Sequence, residues 1–358
     1  MIYLLLLSFS VFYLYFLDQV ITKRYSERFI LSLPVFFMLV IVSGTQLGVG
    51  TDYFTYYKMY SDELLLDRFY MSKEYFFYFF SKLLSYLNFS AQSIFICYAF
   101  FTFSFVFISF SYIEKNTRIR FFWLFVIFFI TTGFFHNQMN LLRQYLAAAF
   151  LFSSVVFLFN GKYIRFLILA TFAISSHPSA IIVLLFFPFL FVKRVGKNWF
   201  FTAYFTSTLA YISIIPFFID SFVSILFPQY SFYLDSSRSQ GHSVFTYVTK
   251  LYFIPVYLFC LYFIYKNWIL FKHNTFLLKL MLVWSLTSSI YLLGLHYGIS
   301  DRVYHYFLIF NIVPFSIYFS YCRHGVKSIF IFAYLLLPYL AKVTFLAKAE
   351  YLYKSWVF

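Results

Sequence analysis

The chain has 358 residues, of which 63% are hydrophobic and only 11% are charged, and its formal net charge is +15. A soluble domain of this size could not hide so much apolar surface from water, which excludes the common soluble enzymes and binding modules. Long apolar runs separated by short charged segments are typical of an all-α, polytopic integral membrane protein.

The first apolar run, 1–21, has no basic residues before it, and Lys23 and Arg24 follow it. This order is wrong for a cleavable signal peptide and indicates a retained span whose N-terminus faces outward. About 12 transmembrane helices are predicted, with both termini outside. They are 2–21, 29–48, 91–112, 121–135, 139–159, 164–177, 179–192, 198–219, 246–266, 275–295, 304–321 and 328–347.

The basic residues lie in short clusters between these runs, and among the acidic residues only Glu27 and Glu114 fall in the clusters. This distribution is that of positive-inside topology, and it argues against nucleic acid as a partner. The clusters are Lys23, Arg24 and Arg28; Lys115, Arg118 and Arg120; Lys162 and Arg165; Lys193, Arg194 and Lys197; Lys266 and Lys272; Arg323 and Lys327.

The segment 75–90 is apolar enough to cross the membrane, but a crossing there would place the cluster from Lys115 to Arg120 outside. We therefore predict an interfacial or re-entrant helix on the outer side. It belongs to a longer outer loop, 49–90, and 220–245 is predicted as a second outer loop. The whole chain, 1–358, is predicted to form a single transmembrane domain.

The predicted spans 164–177 and 179–192 are near the lower length limit for a membrane helix. They join at "SSHPSA", 175–180, so they form either two short spans or a hairpin that does not fully cross. Pro178 suits the first turn of a helix, and His177 would stand at a helix start that favours anions. The alternative is a capped turn with a solvated histidine.

The stretch "NLLRQYLAAA", 140–149, carries Asn140, Arg143 and Gln144 on one helical face, which continues with small alanines. An arginine at the centre of a membrane costs about 2.5–3.5 kcal/mol, and snorkelling lowers this cost at a helix end. A snorkelling arginine needs no Asn and Gln on its own face, so we favour a binding site. An interfacial arginine without function is the alternative.

A third polar stretch is "GISDRVYHY", 298–306, in which Asp301 and His305 are four residues apart. Arg302 would lie at the outer membrane edge, where topology requires no base. The alternative is a surface pair of Asp301 and Arg302. Arg143, His177 and Arg302 are thus predicted at the outer ends of three spans.

Asp52 and Glu74 flank the first outer loop. The sequence contains no glycine-rich phosphate loop and no metal-ligand spacing, which argues against a nucleotide-driven machine. The three cysteines, Cys97, Cys260 and Cys322, are interpreted as packing residues.

Four motifs occur in order: "GVGTDYFTYY", "KEYFFYFFSKLLS", "NLLRQYLAAAF" and "SSHPSAII". Together they resemble the Wzy/EpsG-type polysaccharide polymerases over roughly 40–190. The chain departs from the family where Glu74 is followed by Tyr75 and Phe76, because the family often has Pro-Gly there. The "DRVYHY" match is looser.

The resemblance implies a glycosyltransferase of the bacterial inner membrane that serves O-antigen or capsule assembly, with its active site facing the periplasm. Its donor and acceptor would be glycans linked to undecaprenyl pyrophosphate. Membrane lipid and a chain-length regulator are expected partners, and neither metal nor another cofactor is expected. A flippase for the same lipid-linked unit and an O-antigen ligase remain the alternative functions.

The predicted site follows from the chemistry of the leaving group, a lipid pyrophosphate. Negative charge accumulates on its phosphate oxygens during the transfer, and the planar guanidinium groups of arginines can bind these oxygens. A carboxylate or histidine near the acceptor hydroxyl would be the general base, with Asp52 preferred over His177. The predicted catalytic residues are Arg143, Arg302, Asp52 and His177. The predicted substrate-binding residues are Asn140, Gln144, Tyr53, Glu74, Asp301 and His305.

Overall fold

The computed structural model describes residues 2–20, 25–226, 251–295, 300–322, 325–347 and 349–357. The first α-helices are α1 (Ile2–Val20), α2 (Tyr25–Leu31), α3 (Leu33–Gly44), α4 (Tyr53–Ser61), α5 (Glu63–Met71), α6 (Tyr75–Tyr86), α7 (Gln92–Asn116), α8 (Phe121–Thr131), α9 (Phe134–Asn140), α10 (Leu142–Phe159) and α11 (Tyr163–Ser176). The remaining α-helices are α12 (Trp199–Leu209), α13 (Ile215–Leu226), α14 (Ile254–Lys266), α15 (Trp268–Phe271), α16 (Thr275–Thr287), α17 (Ser300–Phe307), α18 (Ile312–Tyr321) and α19 (Val326–Thr344). Within these described ranges the only β-pairing is an isolated bridge between Gln46 and Ser355.

The predicted fold class, an all-α polytopic membrane protein, is confirmed. In the described part of the chain eight helices are long and apolar enough to cross a membrane. A ninth span results if α8 and α9, which meet at an angle of 54°, are counted together. The bend falls at Gly133, whose φ of +61° is a left-handed conformation that ends α8 and starts a new helix. Three shorter apolar helices, Tyr163–Ser176, Pro178–Phe189 and Ile254–Lys266, fall within the other predicted spans.

The chain divides into two compact units, and each has its own core. The first unit comprises Met1–Leu190 and Phe319–Phe358, and the second comprises Phe191–Tyr318. The first unit contains the four motifs that suggested a function. Its centre is α10, whose residues from Tyr145 to Leu158 are all buried between α7, α11 and the other helices of the unit.

One end of the first unit is held by ion pairs between helix ends. Arg28 Nη1 lies 2.7 Å from Glu114 Oε1 and 3.3 Å from Asp18 Oδ1, and Arg120 Nη1 lies 2.9 Å from Asp18 Oδ2. Glu114 Oε1 also accepts the backbone N–H of Phe121 at 3.2 Å. Two of the predicted cytoplasmic clusters therefore meet at one face, together with the ends of α1, α7 and α8.

The opposite ends of the same helices also gather together. Gln92 Nε2 donates to Gly44 O at 2.6 Å and to Gln46 O at 2.9 Å, while Gln46 Nε2 donates to Met139 O at 3.2 Å. Gly44 lets α3 approach α7 closely, because a Cβ atom there would lie 2.8 Å from Ile96 Cα. The ends of α3 and α9 and the start of α7 thus share the face opposite the ion pairs, as alternating spans require.

The predicted outer segment folds as three short helices, α4 to α6, on this second face. Asp62 begins α5 by accepting the backbone N–H groups of Leu64 and Leu65 at 3.0 and 3.2 Å. α6 has 12 residues, about 18 Å at 1.5 Å per residue, and is therefore too short to cross about 30 Å of hydrocarbon. Its buried Phe77 and exposed Phe79 fit an amphipathic helix.

The break predicted within "SSHPSA" is present. α11 ends at Ser176, His177 is extended with φ −156° and ψ 119°, and a 3₁₀ helix runs over Pro178–Leu190. In the predicted second outer loop, 220–245, residues 220–226 belong to α13. Residues 227–245 of this loop lie outside the described residues.

The second unit has a polar contact in its core. Trp284 Nε1 on α16 donates to Asn311 Oδ1 at 3.0 Å, and both residues are buried. α12 continues into α13 through a π-helical segment, Ala210–Ile214, where Tyr211 OH donates to Leu286 O at 2.5 Å. The buried pair of Trp284 and Asn311 fixes the register between α16 and the segment that contains Asn311. Neither polar group is left unpaired in hydrocarbon.

Positive-inside topology predicts which face is outside. In a chain whose native cysteines are replaced by serine, we expect Ser61→Cys at the end of α4 to react with an impermeant maleimide in cells with a permeable outer envelope. Asn116→Cys, at the far end of α7, is the matched control and should react only after lysis. The reverse pattern would invert the orientation.

Candidate functional site

The loop that enters α4 is held by the side chain of Asn140. Asn140 Oδ1 accepts the backbone N–H of Asp52 at 3.0 Å and the Thr51 hydroxyl at 3.3 Å. Gly50 has a φ of +78°, and a Cβ atom there would lie 2.5 Å from Asn140 Oδ1. Glycine permits both the left-handed conformation and this close approach. The contact places the half-buried Asp52 at the start of α4.

Tyr53, the next residue, is fixed by hydrogen bonds on both sides of its hydroxyl. Tyr53 OH donates to Gln92 Oε1 at 2.8 Å and accepts from Trp356 Nε1 at 3.1 Å. The same C-terminal segment pairs with the loop after α3, where Leu47 N donates to Lys354 O at 2.9 Å. Tyr53, predicted to bind substrate, is 1% exposed and braces the α4 start against α7 and the C-terminus.

Arg143 forms an ion pair with Glu74. Its Nη1 donates to Glu74 Oε2, and its Nε donates to Tyr56 OH at 3.4 Å. The guanidinium carbon also lies 4.5 Å from the ring centroid of Phe69 and 5.7 Å from that of Phe77. Aromatic faces stabilise a cation at such distances. The Glu74 side chain is 5% exposed and that of Arg143 is 20% exposed, so Arg143 is the more accessible member of a largely buried pair.

Burial raises the pKa of Glu74 above that of a free carboxyl group, and the Arg143 guanidinium offsets part of this increase. Burial also raises the pKa of Tyr56, Arg143 lowers it, and the charges of Asp52 and Glu74 raise it. One guanidinium and two carboxylates therefore act on the same hydroxyl. Arg143, Glu74 and Asp52 were predicted from three separate motifs, and the structure gathers them around Tyr56.

Tyr98 on α7 faces the same cluster. Its hydroxyl lies within electrostatic range of the charged Arg143 and Glu74 side chains and of the Tyr56 hydroxyl. The residue is fully buried, and within the described part of the chain its hydroxyl oxygen has no hydrogen-bond partner. A buried hydroxyl without a partner is costly, and a bound ligand is one group that could satisfy it. The sequence contains no signal for Tyr98, which is one of many aromatic residues in an apolar helix.

The other predicted residues of the first unit lie on α10 and at the break after α11. Gln144 is buried, 4% exposed, beside Arg143 in the chain. His177 is 7% exposed, and its Nδ1 lies 2.7 Å from Ser179 Oγ. The histidine thus contacts the first turn of the helix that follows it, as the motif predicted.

Arg302 and His305 lie on α17 in the second unit, where Arg302 is exposed and His305 is half-buried. Asp301 belongs to the first turn of the same helix. The sharing of one anion by Arg302 and Arg143 stays a prediction. Among the residues that the structure describes, no three His, Cys, Asp or Glu side chains are grouped as metal ligands would be.

Comparison with known proteins gives one family. The family model described as the EpsG family matches residues 29–356, which is nearly the whole chain. No curated protein and no solved structure matches the chain. The match includes all the motifs that form the cluster around Tyr56.

The close approach of Gly50 to Asn140 can be tested with two glycines of similar φ. Gly161 has a φ of +72°, and a Cβ atom added there would have nothing within 4 Å, whereas Gly50 has both the positive φ and the contact. Gly161→Ala should cost about 1–2 kcal/mol for the left-handed conformation alone. Gly50→Ala should cost about 1–3 kcal/mol more, because the loop must move. Melting temperatures in detergent measure the difference, and equal losses would contradict the contact.

The Arg143–Glu74 pair predicts a pH-dependent stability. In Arg143→Ala, Glu74 stays buried without its cation, so its pKa rises further above the unfolded value. A raised carboxyl pKa stabilises the fold below the unfolded pKa, and this stability is lost as the pH rises through the folded pKa. The variant should therefore lose about 3 kcal/mol at pH 8 and clearly less at pH 5.

The double variant Arg143→Ala/Glu74→Gln is the control, because glutamine cannot ionise and the additional pH dependence should disappear. Detergent melting curves from pH 5 to 8 compare the three proteins. If the single and double variants respond equally to pH, Glu74 is not the group responsible.

Proposed function

The chain belongs to the EpsG family of polysaccharide polymerases, and from this premise we propose that it joins oligosaccharide units carried on undecaprenyl pyrophosphate. The reaction would take place on the periplasmic face of the bacterial inner membrane. The product would be an O-antigen or capsular polysaccharide. The observation that carries this proposal is the partly accessible Arg143 beside Glu74, Tyr56 and Asp52 at the end of a membrane helix.

The donor presents a pyrophosphate at the membrane surface, and Arg143 is suited to hold it. A planar guanidinium donates two parallel hydrogen bonds to phosphate oxygens and stays protonated at every physiological pH. In the structure Nη1 of Arg143 donates its hydrogen bond to the Glu74 carboxylate. The pyrophosphate would take the place of this carboxylate or bind the remaining edge of the guanidinium. The aromatic rings around Arg143 lower the local dielectric and strengthen either interaction.

The transfer itself needs one bond to form and one to break. The acceptor hydroxyl oxygen bonds to the anomeric carbon of the donor glycan, and the bond from that carbon to the pyrophosphate breaks. The electron pair leaves with the pyrophosphate, where Arg143 stabilises the added charge. The hydroxyl proton passes to a carboxylate, and we assign this role to Asp52, whose position is fixed through Asn140.

Tyr98 and Tyr56 would complete the site from α7 and α4. The unpartnered Tyr98 hydroxyl can donate to a phosphate oxygen that arrives next to Arg143. His177 remains the second choice for the base. A ligase would use the same donor chemistry with a different acceptor, so the deciding evidence is the product and not the pyrophosphate site.

Complementation of a deletion strain tests the assignment, with the glycan ladder as the readout. Loss of a polymerase leaves single attached repeats, whereas loss of a ligase or flippase leaves none. Arg143→Ala should abolish the ladder even after the amount of protein in the membrane has been matched to the wild type, and Arg143→Lys should restore little, because a point charge cannot replace the planar fork. Asp52→Asn should also shorten the ladder if Asp52 accepts the proton.

Arg68→Ala is the matched control, since Arg68 is an exposed arginine on the same outer segment. It should give a wild-type ladder. A wild-type ladder from Arg143→Ala would refute the anion site, and one from Asp52→Asn would transfer the role of base to His177.

A further inference from the structure

An apolar groove runs along the first unit below the Arg143–Glu74 pair. Its volume is about 570 Å³, and residues of α6, α7, α10 and α11 line it. We call it the aromatic groove, because most of its lining side chains are Phe or Tyr, including Phe76, Phe101, Phe105, Phe150 and Phe172. The groove is not part of the polar cluster around Tyr56.

The groove follows the helices over a considerable depth. On α7 its lining residues, Phe101, Phe105, Ile108 and Tyr112, recur with the spacing of one helical face. From Phe101 to Tyr112 the helix rises about 16 Å, which is roughly half of the hydrocarbon thickness of a bilayer. The groove is therefore elongated along the axis of α7.

One end of the groove reaches the candidate site. Phe76 is two residues after Glu74, and its ring centroid lies 5.9 Å from that of Phe150, 5.9 Å from that of Phe172 and 6.2 Å from that of Tyr98. The next residue, Phe77, faces the Arg143 guanidinium. Phe76 is therefore the lining residue of the groove that lies nearest to the Arg143–Glu74 pair.

The other end of the groove is closed by a polar contact. Arg165 Nη1 donates to Tyr112 OH at 2.7 Å, and the guanidinium carbon lies 5.4 Å from the ring centroid of Phe157. Arg165 belongs to one of the clusters predicted to face the cytoplasm. The side of the groove is open, since Ile168 and Phe172 on α11 are 50% and 42% exposed.

We propose that the aromatic groove binds the polyprenyl chain of the lipid pyrophosphate, with the pyrophosphate at Arg143. The inference rests on the proposed function, which supplies a donor with one anionic head and one long hydrocarbon chain. Phe76 lines the groove and its neighbours Glu74 and Phe77 contact Arg143, so a cation lies close to one end of an apolar path, as such a donor requires. Rigid aromatic side chains keep such a path open without collapsing, since they have few rotatable bonds.

A donor held in this way is positioned by two independent contacts. The chain is already in hydrocarbon when it lies in the bilayer, so the groove adds affinity through close van der Waals packing of the chain against the aromatic side chains. The chain also restricts the pyrophosphate to the neighbourhood of Arg143, which raises its effective concentration there. The side opening towards the bilayer lets the chain enter without leaving the membrane.

The test is photo-crosslinking of the full-length protein in nanodiscs. The probe is polyprenyl pyrophosphate that carries a photoreactive group in its chain and no glycan, so the assay needs no polymerisation. Labelled peptides should come from 101–112 and 165–172, and unlabelled polyprenyl pyrophosphate should compete. Equal labelling of these peptides by a diacyl phospholipid probe, or labelling elsewhere, would overturn the proposal.

Ile108→Trp should obstruct the groove and weaken probe binding by at least about tenfold, because part of the chain can no longer pack against the groove. Leu167→Trp is the matched control, since Leu167 is 54% exposed on α11 and does not line the groove. It should bind the probe like the wild type. A probe with a very short prenyl chain should bind wild type and Ile108→Trp equally, which separates an obstructed groove from a misfolded protein.

The two hypotheses can fail separately. A protein that binds the probe in the groove but forms no polymer in any complementation test would contradict the polymerase assignment and leave the groove assignment intact. A polymerase whose activity and probe binding are unchanged by Ile108→Trp would contradict the groove assignment alone.

Discussion

The contact on which the site depends is the ion pair between Arg143 and Glu74. It joins the first turn of a membrane helix to a residue that precedes it by 69 positions and lies on the outer segment. A charged residue next to hydrocarbon is stable only when it is paired or reaches water. Pairing therefore holds the start of α6 beside the first turn of α10, together with the aromatic residues that surround the guanidinium. The same contact makes the outer segment part of the first unit.

Hydrogen bonds to small or amide-containing residues fix the remaining geometry. Asn140 holds the loop before α4, and Gln92 connects the end of α3 with Tyr53 and the loop after Gly44. These contacts use backbone groups that would otherwise be unpaired at helix ends. Asp52 is consequently held by an element whose position is determined by three membrane helices. A catalytic carboxylate needs this kind of support.

Much of the fold could be predicted because membrane insertion depends on composition. Hydropathy located the apolar helices in the sequence. The basic clusters indicated that the helix ends joined by Arg28 and Glu114 lie on the same face. The polar residue types in "NLLRQYLAAA" singled out Arg143 and Asn140, but the single helical face predicted for them is wrong, because Leu141 separates α9, which ends at Asn140, from α10. The proline in "SSHPSA" located the break at His177. Each of these signals is local in the sequence. The position of each helix relative to the others is not local and could not be obtained in the same way.

The parts that sequence reasoning missed depend on contacts between distant residues. Asn140 was predicted to bind substrate, and in the structure its oxygen anchors the loop at Gly50. Tyr98 is one of 35 tyrosines, and only its position beside Arg143 distinguishes it. Glu74 was the least secure of the motif residues, because Tyr75 and Phe76 follow it instead of Pro-Gly. Phe76 lines the aromatic groove, and its ring also contacts that of Tyr98, so the departure from the family pattern lies between the groove and the polar cluster.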